Sequence, residues 1–112
     1  MEGNVIQGEI YFASKFFDMI DEGKKTTTVR RGARAYTPGL YNTYSPARTV
    51  HGYVWIDNTQ VTTLGALTEE VAHTDGFNSL EELKNELLSF YPELTDDSEV
   101  TIVTLRKDDF TW

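Results

Sequence analysis

The sequence predicts an α+β fold, a small mixed or barrel-like sheet with helices at its ends. Segments with strand and helix character follow one another in the order β-α-β-loop-β-α-α-β. That is more strand than a helical bundle allows, without the regular βαβ rhythm of a parallel sheet. Of 112 residues, 39% are hydrophobic and 12% aromatic, enough for a core without metal or disulfide staples. Cysteine is absent, which excludes both a disulfide framework and a thiolate zinc site. The length fits a single domain over residues 1–112.

Ile6 to Phe12 alternates, placing Ile6, Ile10 and Phe12 on one face and Gln7 and Glu9 on the other, as a strand does. Ser14 is positioned to cap a short helix that turns Phe16, Phe17 and Ile20 inward, and Gly23 ends it in a left-handed turn. Thr26 to Arg31 is β-branched and reads as a strand, with Thr26, Thr28 and Arg30 opposite Thr27, Val29 and Arg31. Tyr36 to Arg48, with Pro38, Gly39 and Pro46, reads as a loop holding a short strand at Leu40 to Tyr44. Val50 to Thr63 is a long strand with Val54 and Ile56 on one face and Tyr53, Trp55 and Asp57 on the other.

Thr68, followed by Glu69 and Glu70, starts a helix that Gly76 stops. Ser79 with Glu82 is a capping box opening a second helix, along which Leu80, Leu83, Leu87, Leu88 and Tyr91 recur at helical spacing until Pro92. Glu99 to Arg106 alternates again and closes the fold.

The net charge of −8, from 18 acids and 10 bases, disfavours a general nucleic-acid surface. The bases are unevenly spread, however: Lys24, Lys25, Arg30, Arg31 and Arg34 fall within eleven positions. Local field rather than total charge decides what docks there. Lone charge runs are most often solvated surface. Nearby aromatics, Tyr53 and Trp55 above all, are candidates for stacking on a base, with core filling as their alternative role.

The string GKKT at Gly23 to Thr26 does not make a phosphate loop. Asp18 stands where the first glycine is required, and a helix precedes the strand instead of following it. His51 and His73 are the only histidines, so no metal or other cofactor is expected. A nucleophilic site is the sharper chemical possibility. A threonine hydroxyl needs an adjacent base, and Lys25 lies three residues before Thr28. To serve, the lysine must lose its proton near neutrality, a shift from about 10.4 toward 7 or 8 that costs roughly 4 kcal/mol and that burial and neighbouring cations favour. Strict alternation would aim the two side chains to opposite faces, so Lys25 must sit in the turn before the strand begins.

The segment Gly23 to Arg30 (GKKTTTVR) resembles the signature of the ASCH domain, a PUA-like β-barrel. The likeness continues through Pro38-Gly39, Leu64 to Thr68 (LGALT), Ala72 to Phe77 (AHTDGF), the leucine-rich helix ending at Tyr91-Pro92, and the closing strand, roughly residues 8 to 107. The resemblance implies a PUA-like fold. In one branch of the family it also implies hydrolysis of the acetyl amide of N(4)-acetylcytidine. Lys25 would then be the base, Thr28 the nucleophile and Asp75 the acid, with Lys24, Thr26, Arg30, Arg31, Tyr53 and Trp55 as candidate substrate contacts. Arg30 or backbone N–H groups would steady the oxyanion.

Asp75 stands where that branch has glutamate. Its carboxyl group is set back by about 1.5 Å, and a misplacement of about 1 Å can cost about 100-fold in rate. Gly76 provides backbone freedom to compensate, and Glu69 or Glu70 are alternative acids. The competing readings are a non-catalytic RNA-binding module and a metal-assisted ribonuclease. The expected partner is a modified cytidine nucleoside or RNA, with no membrane or protein partner. A cytoplasmic protein is expected, since Met1 to Gln7 lacks secretory-signal character and no apolar run reaches the roughly 20 residues of a membrane span.

Overall fold

Hydrophobic alternation resolves into one five-stranded mixed sheet of spatial order β1-β3-β4-β5-β2. The strands are β1 (Ile6–Tyr11), β2 (Thr27–Arg31), β3 (Gly39–Tyr44), β4 (Val50–Thr63) and β5 (Glu99–Lys107). The helices are α1 (Phe17–Asp21), α2 (Glu69–Thr74) and α3 (Leu80–Phe90). The computed structural model describes residues 6–45 and 50–112, and the side chains of 50 and 51 fall outside that description. Pro46 and Arg48 of the expected loop, and the His51 side chain, therefore lie outside the described residues.

β1 runs parallel to β3, and the remaining pairings are antiparallel. The ladder leaves β1 and β2 as edges. Arg30 on β2 spans them: its Nη2 donates to the Tyr11 carbonyl at the end of β1, at 2.7 Å. A side chain thus links the two edges, and the open sheet takes on the expected barrel-like form.

Two hydrophobic clusters fill the molecule. One gathers Ile10, Phe12, Phe17, Ile20, Tyr41, Val54, Ile56, Val103 and Leu105 inside the curved sheet. The other packs Val29 and Val100 against Leu64, Leu67, Ala72, Leu83, Leu87 and Leu94, the side carrying α2 and α3. β5 serves both because successive side chains point to opposite faces.

The starts of α2 and α3 follow their sequence signals. Thr68 Oγ1 accepts from the Val71 N–H (3.2 Å), and Ser79 Oγ accepts from the Glu82 N–H (3.1 Å). Glu82 reaches back to the Asn78 N–H at 3.4 Å, one residue beyond the usual capping-box partner. α3 stops at Phe90, two residues before Pro92.

Three local expectations need correction. Ile6 is exposed, because a register shift between Ile6 and Gly8 breaks the alternation that buries Ile10 and Phe12. Ser14 is not a helix cap: it lies inside a 3₁₀ turn, Ser14–Phe16, whose N-cap is Ala13, and α1 starts at Phe17. The strand after Gly23 begins at Thr27 instead of Thr26. Among the described residues, no helix is long and apolar enough to cross a membrane.

Candidate active site

The turn between α1 and β2 is built to bury a lysine. Gly23 takes φ +76°, and the Lys24 and Lys25 N–H groups both donate to the Met19 carbonyl, at 2.8 and 3.0 Å. The Thr26 N–H donates to the Thr74 carbonyl at 2.7 Å, and Thr27 Oγ1 bonds Thr74 Oγ1 at 2.9 Å. These contacts moor the start of β2 to the end of α2. Lys25 therefore precedes the regular strand, as a shared site with Thr28 requires.

Lys25 is 2% exposed and Asp75 3%. The Lys25 ammonium donates to the Asp75 carboxylate Oδ1 and, at 2.8 Å, to the carbonyl of the same residue. It also lies 4.4 Å from the centre of the Phe16 ring. Asp75 is the C-cap of α2, and Gly76 follows at φ +98°, a left-handed conformation that glycine adopts without penalty. A Cβ at Gly76 would meet Met19 Sδ at 2.8 Å. The glycine lets the helix end close against α1 and carries the short aspartate to the lysine.

Burial governs the protonation of this pair. It lowers the Lys25 pKa from its ordinary value, with the Asp75 charge opposing, and it raises that of Asp75 to about 6 against the pull of Lys25 and Arg30. Each shift favours the uncharged form.

Lys25 and Asp75 open onto a cavity of about 210 Å³ at the junction of the two hydrophobic clusters. Thr28, Val29 and Arg30 of β2 line it, with Tyr11, Phe12, Ala13, Phe16, Phe77, Leu83, Leu87, Phe90 and Tyr91 completing the wall. Thr28 is 6% exposed, and no partner for its hydroxyl is found among the described residues. Arg30 is held over the Phe12 ring, 5.0 Å from its centre, and burial lowers its pKa from the ordinary value. A larger cleft of about 430 Å³ behind Lys25 contains Thr26 but neither Thr28 nor Asp75.

The structure thus gathers Lys25, Thr28, Asp75 and Arg30 around one cavity and sets the other candidates apart. Lys24 points to solvent and pairs with Glu22 at 3.4 Å. Thr26 ties strands together, its carbonyl accepting from the Leu105 N–H at 2.9 Å. Arg31 braces the cavity from outside, stacked 4.4 Å over Tyr91 and paired with Glu93 at 3.1 Å. Tyr53 and Trp55 are not in the wall. The Tyr53 carbonyl receives Trp112 Nε1 at 2.7 Å, and Trp55 Nε1 donates to Asp108 at 3.2 Å, so both serve the C-terminal segment. Glu69 does not replace Asp75, since its carboxylate caps α3 by accepting from the Leu80 N–H at 3.0 Å. The aromatic wall comes instead from Tyr11, Phe12, Phe16, Phe77, Phe90 and Tyr91. Nothing local in the sequence marks them as a shared wall, because only the helix packing brings them to β2. Among the described residues no group of three or more His, Asp or Glu is placed to hold a metal ion.

No protein-family model matches the sequence, and no curated protein matches it by sequence. Solved structures do resemble the fold. The ASCH domain of Lactobacillus crispatus superposes with a TM-score of 0.75 at 13% identity, covering 89% of this chain and 78% of that one. ASCH from Zymomonas mobilis gives 0.68 at 20% identity, covering 90% and 68%. A DUF984-family protein of Enterococcus faecalis gives 0.71 at 10% identity, covering 96% and 79%. At these identities the likeness is one of fold, and the fold is that of ASCH domains.

Proposed function

We propose that this chain, on its ASCH-type fold, is an amidohydrolase that removes the acetyl group from N(4)-acetylcytidine or a closely related acylated cytidine. The observation that carries this reading is the buried Lys25–Asp75 pair at the wall of a cavity that also presents Thr28 and Arg30.

The reaction needs a neutral amine and a protonated carboxyl group at the same moment. An ion pair reaches that state by moving one proton across its own hydrogen bond, with no exchange with solvent. Burial already favours the neutral forms, and a bound substrate that excludes water favours them further. Lys25 then takes the Thr28 proton as Oγ1 attacks the acetyl carbonyl. Arg30 offsets the oxyanion. As the C–N bond breaks, Asp75 protonates the leaving exocyclic nitrogen, and cytidine departs. Lys25 is now an ammonium and Asp75 a carboxylate. Water attacks the acetyl-threonine, Asp75 accepts one water proton, and Lys25 returns its proton to Thr28 as acetic acid leaves and ionises to acetate in solvent. Water and amide are consumed, and the pair ends as it began the first attack.

Cavity size and surface charge favour a nucleoside over RNA. About 210 Å³ is below the roughly 300–1,000 Å³ of common ligand clefts and suits one acylated base with its sugar at the mouth. Among the described residues, Lys15, Lys24, Arg31, Arg106 and Lys107 each pair with an acid, which leaves less free basic surface for RNA. Acid quenching during turnover, followed by peptide mass analysis, tests the covalent step. One acetyl group is expected on the Thr28 peptide and none in Thr28→Val. An adduct on another residue, or turnover with no adduct in a variant whose deacylation is slowed, overturns the threonine mechanism.

A further inference from the structure

Among the described residues, the charged members of the cavity wall are Lys25, Arg30 and Asp75, two positive charges and one negative. Lys25 and Asp75 neutralise one another through a direct ion pair. The Arg30 charge is left over. One of its nitrogens is committed, Nη2 to the Tyr11 carbonyl at 2.7 Å, while Nε is fully covered and without a hydrogen-bond partner among the described residues. A covered guanidinium N–H without an acceptor is costly, because the desolvation of that donor is not repaid. The Tyr11 bond and the Phe12 ring beneath it fix the guanidinium in place, so Nε cannot turn out to find water.

We propose that Arg30 forms a binding site for a small monocarboxylate inside this cavity, with the carboxylate seated against its fixed guanidinium. A monoanion brings the wall to neutrality. A dianion would overshoot the single excess charge, and a phosphate-sized group carries more charge than the wall balances. Aromatic and aliphatic neighbours, Phe12, Phe16 and Leu87 among them, suit a short apolar tail such as a methyl group. This deepens the amidohydrolase reading and rests on it for the identity of the anion: acetate is the second product. It follows that acetate is a product inhibitor.

The test uses the whole protein and sodium acetate, with no nucleoside present. The ¹H–¹⁵N resonance of Arg30 Nε is followed through an acetate titration at constant ionic strength, against chloride alone. A saturable shift with a Kd in the millimolar range is expected, roughly −4 kcal/mol of binding, and chloride should leave the resonance in place. Arg30→Lys keeps a charge but loses the planar donor fork, and its affinity for acetate should fall by at least about tenfold, or 1.4 kcal/mol. Should that variant fail to fold, the wild-type titration decides alone. A flat titration, or equal response to chloride, overturns the site. Acetate binding without any turnover of acetylcytidine would leave this site standing and remove the hydrolase. Turnover without acetate binding would do the reverse.

Discussion

Lys25 and Asp75 lie fifty positions apart and meet in the interior, where one ammonium donates to both the carboxylate and the carbonyl of the same aspartate. Their side chains are 1% and 4% exposed. Such a pair is a poor device for stability, since desolvation consumes much of the attraction. Its retention at the wall of a cavity is what a proton-transfer site requires.

Breaking the pair from one side leaves a buried charge without its partner. Lys25→Met and Asp75→Leu should each lower stability by about 3–5 kcal/mol, whereas the two combined should cost much less than the sum. Denaturant unfolding of the singles and the double measures the coupling. Additive losses would mean that the pair is not coupled in solution.

The raised carboxyl pKa sets the sign of a pH dependence. Asp75 moves from 3.8 to about 6 on folding, so between those values the native state binds the extra proton. Stability contributed by Asp75 is therefore greatest below pH 3.8 and falls as pH rises through about 6. Wild type minus Asp75→Asn, taken from unfolding midpoints at successive pH values, should decline across that window and flatten above it. A difference that rises there instead would show an ordinary salt-bridged aspartate.

Thr28 separates chemistry from packing. Its hydroxyl has no partner among the described residues, so Thr28→Val should change stability by no more than roughly 1 kcal/mol. Loss of the nucleophile should cut kcat by at least roughly 10³-fold. A Thr28→Val protein that keeps most of its activity removes Thr28 from the reaction.

Gly76 is the backbone device that aims Asp75. Ala at this position meets both an unfavourable φ of +98° and Met19 Sδ at 2.8 Å. Gly76→Ala should cost about 1–3 kcal/mol and lower kcat more than it raises KM. Adding Met19→Ala should restore part of the stability, because it clears the clash and leaves only the φ penalty.

Local signals in the chain were good guides to the elements. The strand from Val50 to Thr63, the caps at Thr68 and Ser79, and the stop before Pro92 all rest on signals within a few residues, and each feature is present in the fold. The condition on Lys25 was also readable, since a lysine three residues from a threonine shares its cavity only from a turn. What the sequence did not show depends on distance through space. Tyr53 and Trp55 adjoin the basic segment in composition, but the C-terminal residues Asp108 and Trp112 claim them. Phe16, Phe77, Phe90 and Tyr91 are scattered over seventy-six positions and become one wall only when α3 packs on the sheet. The Ile6 reversal came from a single inserted residue, which alternation on one strand cannot reveal without its partner's register.

The most direct measurement incubates purified protein with N(4)-acetylcytidine, without added metal, and separates the products by chromatography. Cytidine and acetate should form in equal amounts, and both should vanish in Lys25→Ala and Thr28→Ala. Unchanged substrate in the presence of folded wild-type protein would contradict the account, and tight binding of single-stranded RNA by the same sample would put an RNA-binding module in its place.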